Sequence, residues 1–313
     1  MLSKIVRVLK DPLLPFRANV YGVGVVDNYV DKDILGKEME NIRWITPNHG
    51  GDFYADPFIT DYFGEPIIFF EYWFDKEHRG NISYAYLRDI KSSNEEVSNP
   101  PDHTALNLST HLSYPYLFEY KGTLYMIPEN YQSHTISLYK SNGSPDKWEK
   151  VSTFVDNFDG VDTNVFEFNG KWWMFSTLRI EGTPSENSDL YIWYSDKPLG
   201  GWIPHKMNPI KYSEPVARGA GKPFMADGKL YRPAQDCTRT YGGELLIKEI
   251  TKLTPDEFEE KTVRKFSGHA PFAESYHTYN SCGVVSVIDG TQSRYSMEHG
   301  VCIAKGVLAG KIR

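Results

Sequence analysis

Residues 111–130 read HLSYPYLFEYKGTLYMIPEN. SYPYLFEY has the composition of a strand, Lys121-Gly122 supplies a turn, and TLYMIPE returns as a second strand. The second strand is apolar yet finishes on Glu129. A carboxylate at the end of a buried strand is costly unless it has partners. Glu129 therefore either sits solvated on a rim or has a task.

The unit recurs. ADPFITDYFGEPIIFFE (55–71), DTNVFEFNGKWWMFST (162–177) and GKPFMADGKLYRPAQD (221–236) each join a short strand, a glycine-containing turn and a second apolar or aromatic strand. A weaker copy, HTYNSCGVVSVIDG, begins at His277. The copies start about 50 to 60 residues apart, which leaves room for a four-stranded blade in each. Outer strands follow at ISYAYLRD (82–89), ISLYKS (136–141), LYIWYSD (190–196) and ELLIKEI (244–250). The predicted fold is all-β, a single five-bladed β-propeller domain over residues 41–313. Within the N-terminal segment, residues 1–40, NVYGVGVV (19–26) is expected to close the ring with the last blade and so remove open sheet edges. About five blades account for Arg43 onward. Only TPDEFEEK (254–261) reads as a helical turn or two, with Thr254 as cap and Pro255 at the first position.

Composition agrees with this. The chain has 313 residues, 14% of them aromatic, with 21 Tyr and 25 Gly, as suits short aromatic strands and tight turns. A net charge of −7 argues against a nucleic-acid partner, which calls for a basic face. No run of about 18 apolar residues marks a transmembrane helix. The N-terminus, MLSKIVRVLKDPLLPF, lacks the uninterrupted apolar stretch and cleavage site of a signal peptide. Cys237, Cys282 and Cys302 show no metal spacing and read as reduced thiols. The expected location is cytoplasmic. Lys4, Arg7 and Lys10, interleaved with Ile5, Val6, Val8 and Leu9, leave room for peripheral membrane association, a docked or frayed terminus being the simpler reading.

In a propeller the inner strand of each blade lines the channel, and the second strand returns to the mouth where the first began. Asp56 and Glu71, Tyr114 and Glu129, Asp162 and Thr177, and Lys222 and Gln235 are thus expected to converge. Arg179, Arg218, Arg232, Asp236, Tyr241 and His277 complete the candidate set. Any one of these alone reads as a rim residue or strand cap. Together they read as a ligand site, and tyrosines beside carboxylates and arginines suit a sugar.

YADPF resembles the opening of the five-bladed propellers of family 43 glycoside hydrolases and their furanosidase relatives. The ordered set ADPF, FFE, GNI, HLSYPYLFE, YMIPE, ISLYK, RPAQD, YGGEL and HTY resembles more closely the N-terminal domain of glucosamine inositolphosphorylceramide transferases and bacterial relatives in surface-polysaccharide biosynthesis, over about residues 40 to 290. In the plant transferases the recognised glycosyltransferase fold is a separate C-terminal domain, so the resemblance leaves the propeller's own role open.

The hydrolase resemblance implies Asp56 as general base, Asp162 as the residue that orients and tunes the acid, and a glutamic acid opening the fourth blade as general acid. There this sequence reads ARGAGKPF, with Arg218 and Lys222 and no carboxylate, and Glu214 lies several residues earlier. An arginine does not titrate near neutrality and cannot protonate a leaving oxygen, which puts two-carboxylate hydrolysis in doubt. Glu129 and Glu71 are the available substitutes. Arg218, Lys222 and Arg232 near one mouth would instead hold an anionic group, such as a nucleotide-sugar phosphate or an acidic sugar. The expected function is a glycosyltransferase using an activated donor and a glycan or lipid-linked acceptor. Asp56 would be the base, with Asp162 or Glu129 positioning the sugar. A furanosidase-type hydrolase and a non-catalytic carbohydrate-binding propeller are the alternatives. No cofactor or metal is expected. The resemblance admits at most a channel calcium by His277, for which a hydrogen-bonding histidine is the simpler reading. Gly219 and Gly221 spell GxG with no helix pattern after it, so no dinucleotide fingerprint is read there.

Overall fold

The computed structural model describes residues 16–48, 50–90, 100, 102–180, 183, 185–268 and 270–308. Lys4, Arg7 and Lys10 lie outside the described residues. Five antiparallel sheets stand around a channel as the blades of a propeller. The chain opens with β1 (Arg17–Asp27) and β2 (Arg43–Ile45). The first blade is β3 (Phe53–Thr60), β4 (Ile67–Phe74), β5 (Arg79–Tyr86) and β6 (His103–Leu106). The second is β7 (Ser113–Tyr120), β8 (Thr123–Glu129), β9 (Thr135–Ser141) and β10 (Trp148–Asp156). The third is β11 (Gly160–Phe168), β12 (Lys171–Leu178) and β13 (Asp189–Ser195), with the short β14 (Ile203–Pro204) and β15 (Ile210–Lys211) both paired to β13. The fourth is β16 (Phe224–Ala226), β17 (Lys229–Asp236), β18 (Glu244–Leu253) and β19 (Phe258–Phe266).

The last blade holds the ends together. Its inner strands are β20 (Tyr279–Cys282) and β21 (Val285–Tyr295), and β1 pairs along the whole of β21, from Arg17↔Tyr295 to Asp27↔Val285. Residues 19–26 lie within β1 and so join the start of the chain to the last blade. β2 lies outside β1 in the same sheet, so Arg43–Ile45 belongs to the last blade and not to the first.

The apolar core lies between blades. Phe58, Phe69, Leu117, Met126 and Met174 join the first three, and Phe175, Ile192, Leu230 and Phe258 join the third to the fourth. Ile247, Phe272 and Tyr279 join the fourth to the fifth, and Val25, Tyr54 and Phe70 close the circle to the first. Trp173 is buried in this packing, while Trp172 packs between blades against Phe118 and Tyr120.

Two local expectations change. Residues 254–261 do not form a helix. Thr254 Oγ1 accepts the N–H groups of Asp256 and Glu257 in a turn, and β19 starts at Phe258, whose ring is buried. A helix does form at Met297–Leu308, α1 here, where Ser296 Oγ accepts the N–H of His299 at 3.2 Å as a cap. Among the described residues no helix is long and apolar enough to cross a membrane.

Arg232 lies away from the funnel. Its guanidinium grips Glu260 at 2.6 and 2.8 Å, and Lys248 reaches the same carboxylate at 2.7 Å, all nearly buried inside the fourth blade. Burial opposes the charge on Glu260, but Arg232 and Lys248 outweigh it and lower the carboxyl to about 2. A carboxyl depressed in the folded state stabilises above its ordinary value of 4.5, and that stability is lost as pH falls from there through about 2. Urea unfolding of Glu260→Gln should therefore show a shallower loss of stability across that window than the parent. Parallel pH profiles would rule out this role for the ion cluster.

Candidate functional site

The inner strands place the site through a repeated irregularity. Pairing slips between Ala55 and Phe58, between Ser113 and Tyr116, and between Val161 and Asn164. The first of the two residues inside each slip is left-handed, with φ of 52° at Asp56, 42° at Tyr114 and 49° at Asp162. Such backbone costs on the order of 1–3 kcal/mol per residue. Here each turned N–H meets a carboxylate from another part of the channel. Asp56 N–H donates to Asp289 Oδ2 at 2.9 Å, Tyr114 N–H to Asp56 Oδ2 at 3.2 Å, and Asp162 N–H to Glu129 Oε2 at 3.3 Å. Glu129 thus has its task, capping the strained opening of the next blade.

These bulges form the floor of a cavity of about 620 Å³. Of the expected residues, Asp56, Glu71, Glu129, Arg179, Arg218, Tyr241 and His277 line it. Three others sit beneath it. Asp162 is spent on Arg218 Nε at 2.5 Å and Gln235 Nε2 at 3.2 Å. Gln235 also donates to Gly219 O. Tyr114, fully buried, donates its hydroxyl to Asn164 and receives Gly221 N–H at 2.7 Å, so it plugs the channel and does not face a ligand.

Three expected residues are elsewhere. Arg232 belongs to the ion cluster above. Asp236 accepts from Lys265 at 2.8 Å and Thr238 N–H at 2.9 Å, on a separate surface. Lys222 feels Asp31, Glu119, Asp61 and Cys282, toward the opposite mouth. The fourth blade opens at Arg218, whose carbonyl accepts Gln235 N–H. Gly219 and Gly221 then carry the chain down the channel, where a Cβ on Gly221 would collide with the Tyr279 carbonyl oxygen. Lys222 therefore lies past the mouth. Glu214 is exposed and does not line the cavity, so Arg218 takes the place of the fourth-blade acid. The trio of cations expected at one mouth reduces to Arg218, and that guanidinium is held between Asp162 and Glu129, 3.6 Å away, under the ring of Tyr241.

Several lining residues had no mark in the repeat. Trp73 stacks on Phe53 with centroids 5.7 Å apart, and Tyr21 from β1 stacks on His277 at 4.7 Å, making an aromatic wall. His111 and Ser113 come from the start of the second blade, and His299 and Ile303 from α1, with His299 Nδ1 2.9 Å from Asp75. Asp289, from within β21, supplies the carboxylate that accepts the Asp56 N–H.

Burial, then the charges of Asp289 and Asp162, raise Asp56 to about 6, although His277 pulls the other way. Burial and Asp162 raise Glu129 to about 8 against the pull of Arg218. Burial, then Asp56 and Glu129, push Glu71 well above the carboxylate range. At neutral pH Asp56 is ionised while Glu129 keeps its proton. Divergent carboxyls of this kind separate a base from an acid.

Asp56, His277 and Asp289 bring ligand-type atoms within 4.8 Å of one another. The set does not fit calcium, which takes about 6–8 oxygens. His277 Nδ1 already shares a proton with Asp289 Oδ2 at 2.6 Å, and Asp289 Oδ1 accepts the N–H groups of His277 and Thr278. Burial opposes a charge on His277, yet Asp289 holds its proton to about 9, so the imidazolium is the local cation.

Residues 44–280 match the family described as Glucosamine inositolphosphorylceramide transferase 1, N-terminal. The Glucosamine inositolphosphorylceramide transferase 1 of Oryza sativa subsp. japonica is 34% identical over 261 residues, covering 78% of this chain and 34% of the relative. That of Arabidopsis thaliana is 33% identical over 214 residues, covering 68% of this chain and 27% of the relative. The chain thus spans about a third of the length of the curated relatives it matches. A family-43 beta-xylosidase/alpha-arabinofuranosidase from a compost microbial metagenome, solved with xylotriose, superposes with a TM-score of 0.52 at 13% identity, covering 80% of this chain and 93% of that one. That likeness concerns the fold. The chain belongs to the glucosamine inositolphosphorylceramide transferase N-terminal family.

Proposed function

We propose, proceeding from that membership, that the funnel is the sugar-handling site of a glycan-biosynthesis transferase in which Asp56 is the base. The observation that carries this reading is the placing of Asp56. It lies on the cavity floor between an aromatic wall and the carboxyls of Glu71 and Glu129. A sugar ring packs its apolar face on Trp73, Phe53 and Tyr21. Glu129 then offers an O–H donor to its hydroxyls, which an ionised carboxylate cannot do.

Thr278 Oγ1 donates to Asp56 Oδ1 at 2.9 Å, and Tyr114 N–H holds the other oxygen, so the carboxylate is fixed in direction. In the reaction the acceptor hydroxyl gives its proton to Asp56, and its oxygen forms the new bond to the anomeric carbon. The old bond breaks toward the leaving oxygen, which departs with the electron pair. Arg218 and Asp162 position Glu129, and neither needs to touch the sugar. The donor is an activated sugar and the acceptor a glycan or lipid-linked hydroxyl.

One observation favours hydrolysis as the second reading. Glu129 holds the proton that a fourth-blade acid would otherwise supply, and water would then replace the acceptor.

Turnover separates the two, with nucleotide sugars and aryl furanosides as substrates. The kcat/KM profile should rise through about pH 6 as Asp56 loses its proton and fall above about pH 8 as Glu129 loses its own. Glu129→Gln should remove the alkaline fall. Cleavage of aryl furanosides without use of any nucleotide sugar would replace transfer by hydrolysis. A profile flat across both values would exclude this acid and base.

A further inference from the structure

We infer that Arg179 and His111 form a phosphate-binding subsite on the funnel rim, beside the sugar floor. This deepens the proposed function and rests on it for the sugar, but the anion site stands on its own geometry. His111 precedes β7 and Arg179 follows β12, and both line the cavity.

The tautomer of His111 is fixed by the backbone. Gly80 N–H donates to its Nδ1 at 2.9 Å, so the neutral ring carries its hydrogen on Nε2. Nε2 has Glu71 Oε1 at 3.7 Å, beyond hydrogen-bond reach. The ring is clamped edge-to-face on Trp73 with centroids 5.6 Å apart, and His111 N–H donates to Gln132 at 2.8 Å. Burial, then the charges of Arg179 and Arg79, lower the imidazole to about 4, so it stays a neutral donor at working pH.

Arg179 is held as firmly. Its N–H donates to Asp159 O at 2.9 Å, and its guanidinium lies 4.0 Å over the ring of Tyr131, whose centroid is 6.3 Å from that of His111. Its Nε has Glu186 at 3.4 Å, and among the described residues its two terminal nitrogens have no hydrogen-bond acceptor. The remaining cations of the cavity are committed, Arg218 to Asp162 and His277 to Asp289. The acidic floor repels an anion, while the rim offers a planar guanidinium edge and a neutral N–H donor. That pair suits phosphate oxygens. A phosphate seated there turns the attached sugar or alcohol down toward Asp56.

The phosphate could belong to the donor, as a diphosphate, or to a phosphodiester on the acceptor. Calorimetric titration of the full chain with UDP, pyrophosphate, glycerophosphoinositol and a neutral monosaccharide tells these apart. Binding of UDP and pyrophosphate assigns the donor, and binding of glycerophosphoinositol alone assigns the acceptor. Either result supports the subsite. Arg179→Ala should weaken the anion by about tenfold or more and leave the monosaccharide unchanged. His111→Gln, which keeps an N–H donor, should lose less than His111→Ala. Glu186→Gln frees the guanidinium and should tighten the anion, a gain that misfolding cannot mimic. Equal anion affinity in Arg179→Ala and parent, or no binding of any phosphate probe, overturns the subsite. Anion binding without sugar turnover counts against the proposed function alone.

Discussion

Asp56→Asn should lower turnover by about 10²- to 10⁴-fold, the range for loss of a positioned base, with the unfolding midpoint held or raised. The amide keeps the shape of the carboxylate and still has an oxygen to accept from Thr278 or from Tyr114 N–H. It cannot take a proton from the acceptor. It also removes a buried negative charge close to Asp289 and Asp162, two of the charges that push Asp56 upward. Activity and stability should therefore part company, which a defect in folding cannot produce. Substantial residual turnover in a fully folded Asp56→Asn would move the base elsewhere.

Arg218→Met is expected to have the largest effect on stability. Arg218 is 5% exposed, and its guanidinium is the cation between Asp162 and Glu129. Without it Asp162 keeps only the Gln235 amide as a side-chain donor. Breaking one side of a buried pair costs about 3–5 kcal/mol, which for a domain of this size is about 5–8 °C in melting temperature. The double variant Arg218→Met with Asp162→Asn should recover part of the loss, because the stranded charge goes with its partner. A cost below about 1 kcal/mol, typical of surface pairs, would mean that the pair is not the buried link described here.

The fold was legible because the repeating unit is local. Each copy pairs a strand, a glycine turn and a returning strand, and period-two geometry then sends the strand ends to one mouth. Glu129 ends β8 opposite Ser113, and its partner proves to be the turned N–H of Asp162. The errors came from register. Lys222 was counted from the first apolar residue of its strand, whereas Gly219 and Gly221 break the strand and move the opening back to Arg218. Arg232 and Gln235 are three apart on β17, so alternation puts them on opposite faces, and only Gln235 reaches the channel. That distinction was available from the sequence.

Other site residues carry no trace in the repeat. Tyr21 arrives from the closing strand, His111 from the stretch just before β7, and His299 from α1. Loop and terminal contributions depend on how the ring closes in space. Asp289 escaped because its copy is the most degenerate, although, like Glu71, it is a buried acid that follows an apolar run inside its strand.

The most direct measurement is a crystal structure of the full chain with a nucleotide sugar at saturating concentration. The account predicts the sugar ring against Trp73, a hydroxyl within hydrogen-bond reach of Asp56, and the phosphates on the rim at Arg179. A sugar bound at the opposite mouth by Lys222, or an empty funnel at saturation, would contradict it.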